Sequence, residues 1–427
     1  MLGKTYQGDF SPQDRKEYLQ DYVHGVFEPG GEMVFPLPKS ATALTAPGDP
    51  VLAGQVLSEG GIPVHCSCSG TVKAVEVRST ARGDALCVVV ENDKRFRAAE
   101  GVGVKTDWQE MPRSEILRRI DAAGALAVDE QRFPSALKLT SLGPDAVSRV
   151  VVDGTDAEPI ASSDTDILRT RGYGVAQGIR IALRLFPGAE GLVLIREDNV
   201  KTMTKMDEAL SGSGGIDVLP VRADSCPGDE AATAALLSGT KEKGSCLVLS
   251  PAAAFAIYEA VCLSTPVIRK IVTVAGTAVK NPGNYLVRVG TGCAELINAA
   301  GGLKAGAAVK KAVLGGALTG TAVRSLDIPF PKDCGALLLF AEDEAEEAAA
   351  QATECIRCGR CARACPVGLM PMLMAKAAEK CDLKRYEKEL YGRECTLCGQ
   401  CALVCPAKRP LTDMFRYAGG LVGSARK

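Results

Sequence analysis

Two stretches near the C-terminus repeat one pattern: Cys355-Ile-Arg-Cys358-Gly-Arg-Cys361-Ala-Arg-Ala-Cys365-Pro366 and Cys395-Thr-Leu-Cys398-Gly-Gln-Cys401-Ala-Leu-Val-Cys405-Pro406. Both read C-x₂-C-x₂-C-x₃-C-P, the spacing that holds iron–sulfur cubanes. Three thiolates two residues apart wrap three corners of one cubane. The fourth, redirected by its proline, ligates the other cubane. The spacing therefore implies two [4Fe–4S] clusters, the first on Cys355, Cys358, Cys361 and Cys405, the second on Cys395, Cys398, Cys401 and Cys365. Zinc is the competing reading. It takes cysteines in pairs, four to an ion, and gives no reason for a third and fourth cysteine plus proline twice over. Two one-electron centres this close in series make a wire.

The other chemistry-bearing residues say less. The chain has 17 cysteines, an odd total with eight in the two runs, which argues for metal in a reducing compartment and against a secreted disulfide framework. Cys66-Ser-Cys68 reads as a tight β-turn, with a redox-active pair as the alternative. Reactivity needs an electropositive setting that the sequence does not show. Cys87, Cys246 and Cys262 sit among apolar residues and read as packing. Only His24 and His65 are histidines, so a histidine-bound zinc enzyme or a Ser–His–Asp hydrolase has little to work with. Both read as surface or turn residues, and no residue is assigned a catalytic role.

The elements that must position these residues fall into blocks. Residues 1–35 read as an irregular arm with a turn at Pro29–Gly31. Residues 36–95 read as short strands and turns, with alternation over Gly70–Val77 and a second strand at Ala85–Glu91. Residues 96–260 alternate helices, such as Arg113–Ala123 and Asp164–Leu185, with short apolar runs at Val150–Val152, Gly191–Ile195 and Cys246–Leu249. That pattern implies a mainly parallel sheet. Residues 261–335 turn β-rich again, at Val267–Val274, Gly283–Val289 and Val313–Leu314. Residues 336–427 hold an acidic linker helix near Ala341–Gln351, then the cysteine runs around a helix at Leu369–Leu390. At 427 residues, division into several domains is expected.

A net charge of −1 offers no field for nucleic acid, so none is expected as a partner. The opening residues are polar and lack a signal-like apolar region. No apolar run approaches the ~20 residues of a bilayer span. Direct membrane insertion is not expected, and the location expected is cytoplasmic, with any membrane contact made through partners.

The tandem runs at the end of an α/β chain resemble the RnfC component of the Rnf electron-transport complex. Ala46-Pro-Gly-Asp-Pro-Val-Leu-Ala-Gly-Gln55, Val64-His65 and Ser69-Gly-Thr-Val72 are similar to that family's lipoyl-like barrel-sandwich. Val274-Ala-Gly-Thr-Ala-Val-Lys-Asn-Pro-Gly-Asn-Tyr-Leu-Val-Arg288 is similar to its β-grasp (SLBB-type) segment, and Gly315-Gly316-Ala-Leu-Thr-Gly320 to the glycine turn that follows. The resemblance implies a multidomain α/β fold: barrel-sandwich, Rossmann-like domain, β-grasp domain and a helical two-cluster ferredoxin-like domain.

It also implies that the α/β domain is similar to the NADH-binding flavoprotein of respiratory complex I, where a G-x-G-G-A-G-F-P loop receives FMN and NADH. The matching stretch here runs from Ala123 to Pro134. It keeps Phe133-Pro134 but only one glycine, Gly124, and places Asp129, Glu130 and Arg132 along the loop. Glycine lets backbone amides approach phosphate, and like charge disfavours phosphate beside carboxylates. FMN and NADH are thus implied by the family, while the loop residues argue against them. The family's acidic-Glu-Pro motif is matched by Asp156-Ala-Glu158-Pro159.

The function implied is an iron–sulfur subunit that relays electrons through two [4Fe–4S] clusters to or from redox partner proteins. In the family those are membrane Rnf subunits, with the complex coupled to ion pumping and the RnfC component peripheral on the cytoplasmic face. The alternative is a soluble relative feeding a dedicated reductase, of the amino-acid reductase or cobalamin reductase type. The degraded loop leans toward such an adaptor.

Overall fold

The computed structural model describes residues 23–129, 133–212, 214–222, 228–238 and 245–424. Near the N-terminus, Glu32–Pro36, Gly83–Asn92, Gly70–Thr80 and Pro50–Val51 form an antiparallel sheet in that order, with a short ribbon of Thr42–Ala43 and Ser58–Glu59 beside it. Alternation decides which faces are buried. Met33, Phe35, Val51, Leu57, Val72, Val88 and Val90 point into one core. Cys66 and Cys68 belong to that core, their sulfurs 3.9 Å apart, with the Cys66 thiol donating to the Cys68 carbonyl. Both are fully buried.

The α/β domain carries four parallel strands in the order Ile216–Val221, Glu190–Arg196, Arg149–Asp153, Cys246–Leu249. Three are the apolar runs expected from sequence. Ile216–Val221 escapes that reading because its burial is partial and its pattern mixed. Helices Ser163–Leu185 and Pro251–Cys262 cross at close range. A side chain on Gly178 would stand 1.8 Å from the Ala254 carbonyl, so only glycine fits there. Burial of Val150, Val151, Val152, Val193, Leu194 and Ile195 contributes ~1.5–3 kcal/mol per side chain.

The β-grasp domain is built on a six-stranded mixed sheet. Its order is Val23–Val26, Gly283–Arg288, Arg269–Ala275, Ala336–Phe340, Lys311–Leu314, Thr321–Val323. Val23–Val26 was expected in an irregular arm. It instead adds an edge strand parallel to Gly283–Arg288, a pairing across more than 250 residues that local pattern does not announce.

The cysteine-rich region packs helices Pro371–Glu379, Leu383–Lys388 and Leu411–Ser424 around Met374, Tyr386 and Phe415. The single helix expected at Leu369–Leu390 is two, broken where Cys381 takes a φ of +51°. Tyr386 closes this small core, its hydroxyl donating to the carbonyls of Gly392 and Phe415 at 3.4 and 3.3 Å.

Candidate metal centres

The two runs repeat in backbone as well as in sequence. Arg357 and Leu397 share a left-handed conformation (φ +56° and +58°), as do Gly359 and Gly399 (φ +74° and +80°), and Gly368 and Lys408 (φ +71° and +51°). A left-handed residue between the first two cysteines and a glycine after the second curl each loop inward. Short helices, Arg360–Arg363 and Gln400–Leu403, begin directly after those glycines and carry the third cysteine. The fourth follows at once with its proline. The Thr353 amide donates to the Ala407 carbonyl at 3.0 Å, tying the entry of the first run to the exit of the second.

The loops enclose two cavities. One is lined by Cys395, Cys398, Cys401 and Cys365, with Pro366, Leu397, Met374 and Phe415 around them. The other is lined by Cys355, Cys358, Cys361 and Cys405, with Met372, Arg357 and Arg409. In each, three thiols come from one run and the fourth from the other. Burial pushes the Cys361 thiol above its ordinary value, and its neighbours Cys405 and Cys355 push it further. Burial likewise raises Cys401, with Cys398, Cys395, Cys365 and Cys361 adding to it. Bare thiolates gathered in an apolar pocket repel one another, and bound iron would offset that repulsion. Among the described residues no three His, Cys, Asp or Glu converge on a site for one ion. Four thiols spread round each of two apolar cavities fit a cubane, whose ligands attach at four separate irons.

The surroundings of the two cavities differ. Cys361 and Cys401 are equally buried, each 9% exposed. In the first run Cys355, Ile356, Arg357, Cys358, Arg360 and Arg363 are all exposed. In the second, Cys395, Thr396, Leu397, Cys398 and Gln400 are half-buried and Gly399 is buried. The covering group is Leu318 in the glycine turn of the β-grasp domain. A Cβ on Gly399 would stand 2.9 Å from that of Leu318. From the α/β domain, Asp229 is near enough to help raise the Cys395 and Cys398 thiols, after burial.

Glu158 holds this cover in place. Its carboxylate accepts the amides of Leu318 and Thr319 at 2.8 and 3.1 Å, and the Thr319 hydroxyl as well. Gly316 leaves room for it, since a Cβ there would lie 1.9 Å from the Glu158 carboxyl carbon. The family resemblance implies a nucleotide-binding role for Glu158. The described contacts join it to a turn some 160 residues downstream.

The rest of the expected nucleotide loop is also differently disposed. Ala125–Asp129 is a 3₁₀ turn whose five residues are all buried. Asp129, 1% exposed, points inward and accepts the Ser250 amide at 2.8 Å, at the start of helix Pro251–Cys262. It therefore interacts favourably with a helix N-terminus, where the sequence reading set it against phosphate. Phe133 is buried in the α/β core. Gly124 keeps a positive φ of +57°, but the space a Cβ would take lies 3.0 Å from both the Lys332 ammonium and the Pro63 carbonyl. Glu130 and Arg132 lie outside the described residues. The described part of the loop does not fit a phosphate cradle.

Sequence reasoning missed what fills this region. Lys332 donates to the Gly124 carbonyl at 3.1 Å, and burial with the charge of Lys270 brings it down to about 8. Burial and then Lys332 push the ring of His65 down to about 4. His65 is buried, where the sequence suggested surface or turn. Asp156 caps helix Ser163–Leu185, accepting the amides of Asp164 and Thr165 at 3.2 and 3.0 Å. None of these left a local signal: Asp156 lies six residues before the N-cap position, Ser162.

Four family models match this chain: the RnfC barrel sandwich hybrid domain over residues 4–95, the Nuo51 FMN-binding domain over 120–255, the SLBB domain over 271–322 and the 4Fe-4S dicluster domain over 354–408. The C component of the proton-translocating ferredoxin:NAD(+) oxidoreductase complex of Clostridium ljungdahlii is 27% identical, over 91% of this chain and 87% of its own. Its counterpart in the Na(+)-translocating ferredoxin:NAD(+) oxidoreductase complex of Acetobacterium woodii is 25% identical, over 88% of each chain. The corresponding component of the ion-translocating oxidoreductase complex of Serratia proteamaculans is 31% identical over 76% of this chain, which spans only 47% of that longer protein. A solved NAD+-reducing [NiFe]-hydrogenase chain aligns loosely, with a TM-score of 0.48 at 14% identity, covering 76% of this chain and 68% of that one.

Proposed function

The chain belongs to the RnfC-like family, and from that premise we propose that it is an iron–sulfur electron-transfer subunit relaying electrons singly between partner proteins. The observation that carries this is the pair of cavities, each ringed by three cysteines of one run and the fourth of the other. A [4Fe–4S] cluster in each supplies one-electron redox chemistry when bound. The protein's part is to hold and to shield. The crossed cysteines bind the two loops into one unit. Leu397, Phe415 and Met374 line the second cavity, and Leu318 covers its loop, so water is kept from that side.

The similar proteins are named for ion-translocating complexes, and we propose that this chain joins an assembly of that kind through protein contacts. No helix among the described residues is long and apolar enough to cross a membrane. Membrane association, on this proposal, comes from partners on the cytoplasmic face. The second reading, an adaptor feeding a dedicated reductase, is favoured by one observation: the loop around Gly124 and Asp129 is filled by the protein's own groups. No step is therefore routed through a flavin or a nicotinamide.

Anaerobic reductive titration of the isolated chain tests both parts. It should take up about two electrons per chain, one per cluster. NADH should leave its absorbance unchanged, and acid should release no stoichiometric flavin. Uptake of no electrons contradicts the relay. One flavin per chain, with NADH bleaching the iron–sulfur bands, overturns the reading of the loop and favours direct NADH use.

A further inference from the structure

We propose that the hydroxyls of Thr396 and Thr412 donate hydrogen bonds to the sulfurs of the second centre and raise its reduction potential above the value that burial alone would give. The proposal rests on the two-cluster reading and adds two residues that tune the relay from within the chain.

Both threonines line the cavity ringed by Cys395, Cys398, Cys401 and Cys365. Both hydroxyl oxygens are buried, and neither has a partner at hydrogen-bond geometry among the described residues. Thr412 as a whole is only 9% exposed. A buried hydroxyl left without a partner is costly, so packing alone favours an apolar residue at such a place. The first cavity has apolar residues at both. Ile356 follows the first cysteine of its run as Thr396 does in the other, and Met372 stands seven residues after Cys365 as Thr412 does after Cys405. Ile356 and Met372 line the first cavity in their turn, and neither side chain has a hydrogen to donate. At these two matched places the cavities differ by two hydroxyl donors. Thr396 also stands near a cluster cysteine. Burial pushes the Cys398 thiol up, and the Gln400 amide and then the Thr396 hydroxyl hold it down.

A hydroxyl turns its hydrogen toward whichever acceptor is offered. The sulfurs of a cubane are anionic acceptors, and hydrogen bonds to charged acceptors are the strong ones. Reduction adds one negative charge to the centre, so these bonds strengthen as the electron arrives and favour the reduced state. The lining of Leu397, Met374 and Phe415 and the cover of Leu318 act the other way, because an apolar setting disfavours added charge. At the first centre the loop is exposed, and water beside it takes the part that the threonines take in the sheltered one. The hydroxyls thus draw the sheltered centre back toward the open one, so that an electron passes between them. The giver is oxidised by one, the taker is reduced by one, and no proton or bond moves.

The test is a potentiometric titration of the iron-loaded full chain, each centre followed by its own electron spin resonance signal, in Thr396→Val, Thr412→Val and the double variant. Valine keeps the branched shape and removes the hydroxyl. Each single variant should shift the second centre's reduction equilibrium about threefold toward the oxidised state, and the double variant about tenfold, which is about 59 mV for one electron. The first centre should keep its native potential. Thr396→Ser/Thr412→Ser, which retains both hydroxyls, should stay near the native potential at the second centre. An unchanged potential in the double valine variant at full iron content overturns the proposal. So does an equal shift of both centres, or a serine variant that falls as far as the valine one. Where valine costs iron, Thr396→Ala/Thr412→Ala gives the same readout with less bulk, and a native potential there overturns the proposal too. A native chain with a single centre would instead count against the two-cluster reading itself.

Discussion

The two cysteine runs share spacing, left-handed positions and the short helices that follow, but not their surroundings. The first faces outward, with arginines at the positions between its cysteines. The second is folded against the β-grasp turn, with Leu397, Gln400 and Leu403 at those positions and Leu318 on its glycine. Equal ligand sets in unequal settings give a relay two distinct ends. Exposure, hydrogen bonding and charge tune an iron–sulfur centre, so the sheltered and the open centre should differ in solvent access and in potential.

The sharpest way to break the comparison is to remove the cover. Glu158→Ala leaves the amides of Leu318 and Thr319 without their carboxylate acceptor. Hydrogen bonds to a charged group contribute roughly 1.5–3 kcal/mol each, with the exposed side of the turn at the low end, so a loss of about 3–4.5 kcal/mol is expected. The telling readout is selective: faster oxygen damage to the centre on Cys395, Cys398 and Cys401, with the other unchanged. Equal damage to both would show that the turn does not shelter one centre in particular.

A smaller, matched experiment exchanges the two loop glycines. Gly359→Ala meets only the strain of a left-handed alanine, about 1–2 kcal/mol. Gly399→Ala meets that strain and the Leu318 Cβ at 2.9 Å, so it should be the more destabilising in denaturant melts. Leu318→Ala retains that Cβ, whereas Leu318→Gly removes it and should bring the two glycine variants together. Equal effects of the two glycines in the native background would mean that Leu318 does not press on the loop.

How much of this was legible in sequence depended on distance along the chain. The eight cysteines could be read because cubane ligation fixes their spacing within a dozen residues. The three apolar strands of the parallel sheet could be read because full burial on both faces makes a run with no alternation. Glu158 could not. Its partners are Leu318 and Thr319, and nothing local distinguishes an acid bound to a distant turn from one facing a ligand. Asp129 misled for a similar reason. Its charge was visible, but the helix N-terminus at Ser250 that receives it lies about 120 residues on. The contrast between the runs was visible as three arginines against leucine, glutamine and leucine, but its meaning needed the β-grasp turn to be in place.

The most direct measurement is iron content and spectroscopy of the anaerobically purified chain beside Cys365→Ala. The native protein should hold about eight irons, four per cubane. Because Cys365 shares its cavity with Cys395, Cys398 and Cys401, its removal should damage that centre and leave the signal of the Cys355, Cys358, Cys361 and Cys405 centre intact. About four irons or zinc in the native chain would contradict the two-cluster account, and loss confined to the Cys355 centre in the variant would contradict the crossing.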